Sequence, residues 1–136
     1  MNELSAPLII VGGLAILMLV GVIANFNRLV RVRQHIAESW ADIDVELKRR
    51  YDLIPNLVET VKGYAAHERG VLEEVVKLRN RAVANRGPAG EQAVDESALG
   101  IGVKRLFAVA ENYPQLRADA HFLALQEELA VTEDRL

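Results

Sequence analysis

Apolar residues divide the chain into one unbroken run and a series of helical stripes. Ala6 through Ala24 carries no charged side chain and is built mostly of Leu, Ile, Val, Ala and Gly. Its length matches the roughly 20 residues that cross a bilayer core as a helix. Beyond it, Phe26, Leu29, Ile36, Trp40, Ile43 and Leu47 recur at steps of three and four, with charges between them. That is the spacing of an amphipathic helix, and it predicts one over Asn25–Arg50. No breaker separates this helix from the apolar run, so the two can continue as one. Asp44 with Lys48, and Glu46 with Arg50, stand at i,i+4 in the favourable order. Phe26 and Trp40 lie on the stripe and are expected to be core anchors.

The stripe resumes at Leu57, Val58, Val61, Tyr64, Val71, Leu72, Val75 and Leu78. Pro55 disfavours the helical conformation at Ile54, which predicts a reversal there, with Asp52 capping a second helix from Leu53 to about Ala84. Gly63 and Gly70 weaken that helix and mark either close packing or a bend. Asn85–Gly90 is a loop by its Gly and Pro content. A third helix is expected over Glu91–Tyr113, presenting Val94, Leu99, Val103, Leu106, Phe107 and Ala110, and Pro114 stops it. Asp119 can cap a fourth, carrying Phe122, Leu125, Leu129 and Leu136. The fold class is therefore all-α: an N-terminal transmembrane helix, then a long antiparallel hairpin within an up-down bundle. Residues 1–5 form a short outer end, 6–24 the span and 25–136 the domain.

Arg28, Arg31 and Arg33 follow the apolar run, and no Lys or Arg precedes it. The positive-inside rule then places the domain in the cytoplasm and the N-terminus outside. A cleaved signal peptide fits less well, because it calls for a basic start and a shorter apolar core. The three arginines can also meet anionic lipid heads. Net charge is −3 with both signs interspersed, so no broad basic face for nucleic acid is expected. The chain has no cysteine, which excludes disulfides, thiol catalysis and a lipidated cysteine.

Motifs for catalysis are equally sparse. His67-Glu68 lacks the second histidine of a zinc-protease helix, since Val71 stands in its place. Tyr64 occupies the position where a di-iron bundle would carry a glutamate before His67. His35 and His121 have no matching partners for a metal. Asp42, Asp44, Asp52 and Glu59 show no spacing that singles out an acid/base pair. No phosphate loop or nucleophile elbow is present. The expectation is a non-enzyme with no cofactor and no metal site. The polar residues Asp52, Asn56, Lys62, Tyr64, His67 and Glu68 remain as a recognition patch near the hairpin tip, or as hydrogen-bonding partners inside the bundle.

The stretch Arg49-Arg50-Tyr51-Asp52-Leu53-Ile54-Pro55-Asn56-Leu57-Val58-Glu59-Thr60-Val61-Lys62-Gly63-Tyr64-Ala65-Ala66-His67-Glu68 closely resembles the core motif of the LemA family of bacterial membrane proteins. The resemblance extends through Phe26–Val30, Trp40–Val45, Tyr113–Leu116 and Phe122–Leu129. It implies a helical hairpin domain held at the inner membrane of a bacterial cell. The family's molecular activity is undefined, so the functional expectation rests on the charge-free span, the arginine flank, the long hairpin and the lack of a catalytic constellation: an adaptor or scaffold that binds an unknown protein partner, with a self-assembling structural membrane protein as the alternative and a metal-dependent enzyme around His67 ranked third. Family members continue the last helix further, so this chain is expected to be short at its end. Part of the hairpin stripe would then be uncovered, and a homo-oligomer or a partner helix would cover it.

Overall fold

A computed structural model describes residues 5–136, and all of the described secondary structure is helical. Residues 1–4 of the expected outer end lie outside the described residues. Five helices follow in order: α1 (Ser5–Tyr64), α2 (Arg69–Ala84), α3 (Ala89–Ala110), the single turn α4 (Pro114–Arg117) and α5 (Ala120–Arg135). The chain divides into two compact units, Met1–Asp42 and Ile43–Leu136.

In the first unit α1 is continuous through the apolar run and the arginine flank. It holds the one helical segment among the described residues that is long and apolar enough to cross a membrane. No described side chain here is buried. Phe26 and Trp40 are 65% and 48% exposed, so they are not the core anchors their spacing predicts.

The second unit is an up-down helical bundle. Side-chain pairs fix its directions. Arg79 of α2 meets Tyr51 of α1, so α2 runs back along α1. Glu96 of α3 reaches Arg50 and Tyr51, and Tyr113 reaches Glu68, so α3 runs forward again. Asp119 before α5 meets Tyr64, and Arg135 at its end meets Glu46. The core holds Ile54, Leu57 and Val61 of α1, Leu72 and Val75 of α2, Leu99, Val103 and Leu106 of α3, and Phe122, Leu125 and Leu129 of α5. Phe107 and Phe122 meet edge to face at 5.9 Å. Gly102 is buried on α3, where an added Cβ would stand 2.8 Å from Leu78 Cδ1, so its lack of a side chain lets α2 and α3 approach.

The reversal predicted at Pro55 is not there. α1 passes through Pro55 and ends at Tyr64, and the chain turns at Ala65–Glu68 instead. Pro55 has no N–H for the carbonyl of Tyr51, four residues earlier. That carbonyl accepts a hydrogen bond from Arg79 Nε at 3.1 Å. An interior proline costs about 3 kcal/mol. Each side chain as fully buried as Ile54, Leu57 and Val61 returns about 1.5–3 kcal/mol. Packing therefore outweighs the local preference. Asp52 consequently lies exposed within a helix and caps nothing.

Other expectations shift by less. Gly63 and Gly70 fall in the turns on either side of the true reversal, and nothing stands within 4 Å of an added Cβ at either, so neither marks close packing. α3 begins at Ala89, two residues before the expected Glu91, and ends at Ala110, three residues before the expected Tyr113. Val94 is exposed, while Leu99, Val103, Leu106 and Ala110 are buried. Asp119 caps α5 as expected, accepting from the Phe122 N–H at 2.8 Å. Glu46 and Arg50 do not pair with each other; they reach Arg135 at 2.9 Å and Glu96 at 3.5 Å.

Candidate functional site

The helical path separates the six patch residues into two groups. Asp52, Asn56 and Lys62 project from α1 into solvent, and His67 is exposed in the turn. Lys62 lies 3.6 Å from Glu59, one helical turn earlier. Tyr64 and Glu68 instead fasten the tip of the bundle. The Tyr64 hydroxyl donates to Asp119 Oδ2 at 2.8 Å. The Tyr113 hydroxyl donates to Glu68 Oε1 at 3.2 Å. Together they tie the α1–α2 turn to the segment that joins α3 to α5.

These bonds set the electrostatics of the tip. The bond to Asp119 holds the Tyr64 hydroxyl above its ordinary pKa, because the ionised phenol would face a carboxylate. Asp119 is held below the usual carboxylate range, first by the Phe122 N–H and then by Tyr64. Partial burial, and then Glu68, push Tyr113 up.

A second polar cluster lies within the bundle. Arg50 is 7% exposed, and its guanidinium stands 3.5 Å from Glu96. The Tyr51 hydroxyl donates to the same carboxylate, and burial followed by that bond raises its pKa. Asp95, also buried, accepts from Asn85 and from Arg81, each at 2.7 Å. In this second cluster the buried charges of Arg50 and Asp95 are matched by partners, as charges removed from water must be.

A groove of about 670 Å³ opens between residues 58–66 of α1 and its turn and residues 69–80 of α2. Val58, Leu72 and Val76 give it an apolar floor. Glu59, Lys62, Arg69, Glu73 and Lys77 ring it with charges of both signs. Of the six patch residues only Lys62 lines it. The α2 residues were missed by sequence reasoning. Their signal was present: Arg69, Glu73 and Lys77 repeat at four-residue intervals on one helix face, with Val76 beside them.

Such a groove can hold an apolar ridge and pair charges at its edges. Among the described residues, no group of three or more His, Asp or Glu is placed to hold a metal ion. In the first unit the His35 ring stands 3.3 Å from the Glu38 carboxylate. Arg28, Arg31 and Arg33 are exposed on α1 directly after the apolar run.

No curated protein matches the chain. The model of the LemA family matches residues 39–136, which takes in the whole of the helical second unit. With its up-down bundle and its match over well more than half its length, the chain belongs to the LemA family.

Proposed function

We propose that the protein is held in the inner membrane of a bacterial cell by residues 6–24, and that its cytoplasmic bundle binds another protein. The groove takes an amphipathic helix of that partner. The observation that carries this reading is the groove itself, with an apolar floor and a rim of both charge signs along α2. From Arg69 to Asn80 its length is roughly 16 Å at 1.5 Å per residue, enough for about three turns of a partner helix. The arginines after the apolar run support the cytoplasmic placement by the positive-inside rule. The protein acts as an adaptor or scaffold, without cofactor or catalysis.

Two measurements test this. The protein should stay with membranes through carbonate and high-salt washing; release into the wash would remove the anchor. A photoreactive residue at Lys62 should give an adduct to a single other protein in living cells, while the same residue at exposed Asp52, outside the groove, should not. Equal labelling from both positions, or none from Lys62, would remove the groove as the binding site.

A further inference from the structure

The first unit carries an apolar helix face with a stricter register than amphipathicity requires. Phe26, Leu29, Arg33, Ile36 and Trp40 follow one another at alternating intervals of three and four residues. This is the a/d spacing of a coiled-coil seam. The alternation continues without a slip through Ile43, Leu47, Arg50, Ile54, Leu57 and Val61. The last four of those positions are buried in the bundle. Phe26, Leu29, Ile36 and Trp40 are 48–69% exposed. We infer that residues 26–40 pair, parallel and in register, with the same segment of a second copy of this chain.

Orientation is the first argument, and here the inference rests on the membrane-anchor reading. Two copies anchored by the same span present this face at the same height and in the same direction. Trp40 then meets its counterpart, and so does Phe26. Charge placement is the second. Arg28, Arg31, His35, Glu38 and Asp42 occupy the outer positions of the heptad. The positions flanking the seam are Val30, Val32, Ala37 and Ser39, so pairing brings no like charges together at its edges. The lipid surface is not the occupant. A helix that lies on a membrane must run in its plane, whereas α1 leaves the span without a break.

Arg33 is the one charged side chain in this part of the seam. A polar residue at an a position costs stability and selects register, and its aliphatic stem can cover the seam while the guanidinium reaches water. Residues 26–40 make only about two heptads, short for a coiled coil in free solution. Confinement by the span raises the effective concentration of the partner segment.

The absence of cysteine gives a clean test. Ile36→Cys places a thiol in the seam, and Glu38→Cys places one on the opposite face of the same helix. Both sites are exposed, so neither change threatens the fold. Full-length chains are oxidised in native membranes, and the disulfide dimer is read on non-reducing gels. The Ile36→Cys dimer should exceed the Glu38→Cys dimer by about tenfold or more. Adding Arg33→Leu should raise the Ile36→Cys yield, and adding Trp40→Asp should abolish it. Equal yields at 36 and 38, or no dimer at 36, would overturn the pairing. Carbonate extraction of the same samples separates the two readings. A chain that stays in the membrane without the position-36 dimer refutes the pairing alone. A chain that washes off refutes the anchor, and the 36-versus-38 contrast still decides the pairing.

Discussion

The two parts of α1, one in each unit, carry the same apolar spacing and meet opposite fates. In the second unit Ile54, Leu57 and Val61 are closed off from solvent by α2, α3 and α5. In the first unit Phe26, Leu29, Ile36 and Trp40 stand open. Periodicity reports only which face of a helix is apolar. It does not report what covers that face. The comparison also shows where tertiary contact overrides local preference. The covered part tolerates a proline in its interior, because the groups around it supply what the proline removes.

The sharpest way to break this comparison is to truncate one residue from each part. Leu57→Ala removes a fully buried side chain and should cost the second unit about 2–5 kcal/mol. Ile36→Ala, on the open face, should change its stability by no more than about 0.5 kcal/mol. Denaturant unfolding in detergent, followed by circular dichroism, measures both. A comparable loss from Ile36→Ala would mean that the open stripe contributes to folding as the covered one does.

Next in size is the proline. Arg79→Ala should leave the Tyr51 carbonyl without its donor and cost about 1–3 kcal/mol. Pro55→Ala restores an N–H to that same carbonyl and removes the proline's strain, so it should stabilise the protein. In the background of Pro55→Ala, Arg79→Ala should cost much less. The double-mutant cycle measures this coupling. Additive effects would mean that Arg79 serves some purpose other than satisfying the proline gap.

The same residues explain how much of the molecule was legible in sequence. The all-α class, the long apolar helix at the start of the chain, the order of the elements and the Asp119 cap follow from periodicity, charge and capping chemistry, all of which act over a few residues. The position of the first turn does not. Pro55 and Asp52 form a plausible local stop, and the contact that cancels it comes from Arg79, twenty-four residues further on. Tyr64 and Glu68 are similar. Their partners lie far along the chain, Tyr113 beyond two further helices and Asp119 beyond three. The groove is only half legible: Lys62 belongs to the family motif, but α2 supplies most of the remaining rim.

The smallest effect concerns the tip, where the comparison can be sharpened by pH. Asp119 is held below the ordinary carboxylate value of 3.8 in the folded protein. As the medium acidifies, the unfolded chain therefore takes up this proton first. The stabilisation is fully present above about pH 4 and is lost as pH falls through the lower folded value. Tyr64 behaves oppositely. Its hydroxyl is held above 10.0, so its contribution is complete below about pH 10 and is lost as pH rises through the higher folded value. One hydrogen bond thus fails at both ends of the pH scale, through a different partner at each. Tyr64→Phe should remove the share of the alkaline arm that belongs to Tyr64 and leave the shares of Tyr51 and Tyr113, whose hydroxyls are also held above the ordinary value. It should leave part of the acid arm, because Asp119 still accepts from the Phe122 N–H. Both groups meet solvent, so added salt should weaken the effect, and the shift in Tm should be no more than about a few degrees. Thermal melts of the native and Tyr64→Phe proteins between acid and alkaline pH decide it. The covered part of α1 should show both arms, while an Ile36→Ala protein, altered only in the open part, should follow the native curve throughout.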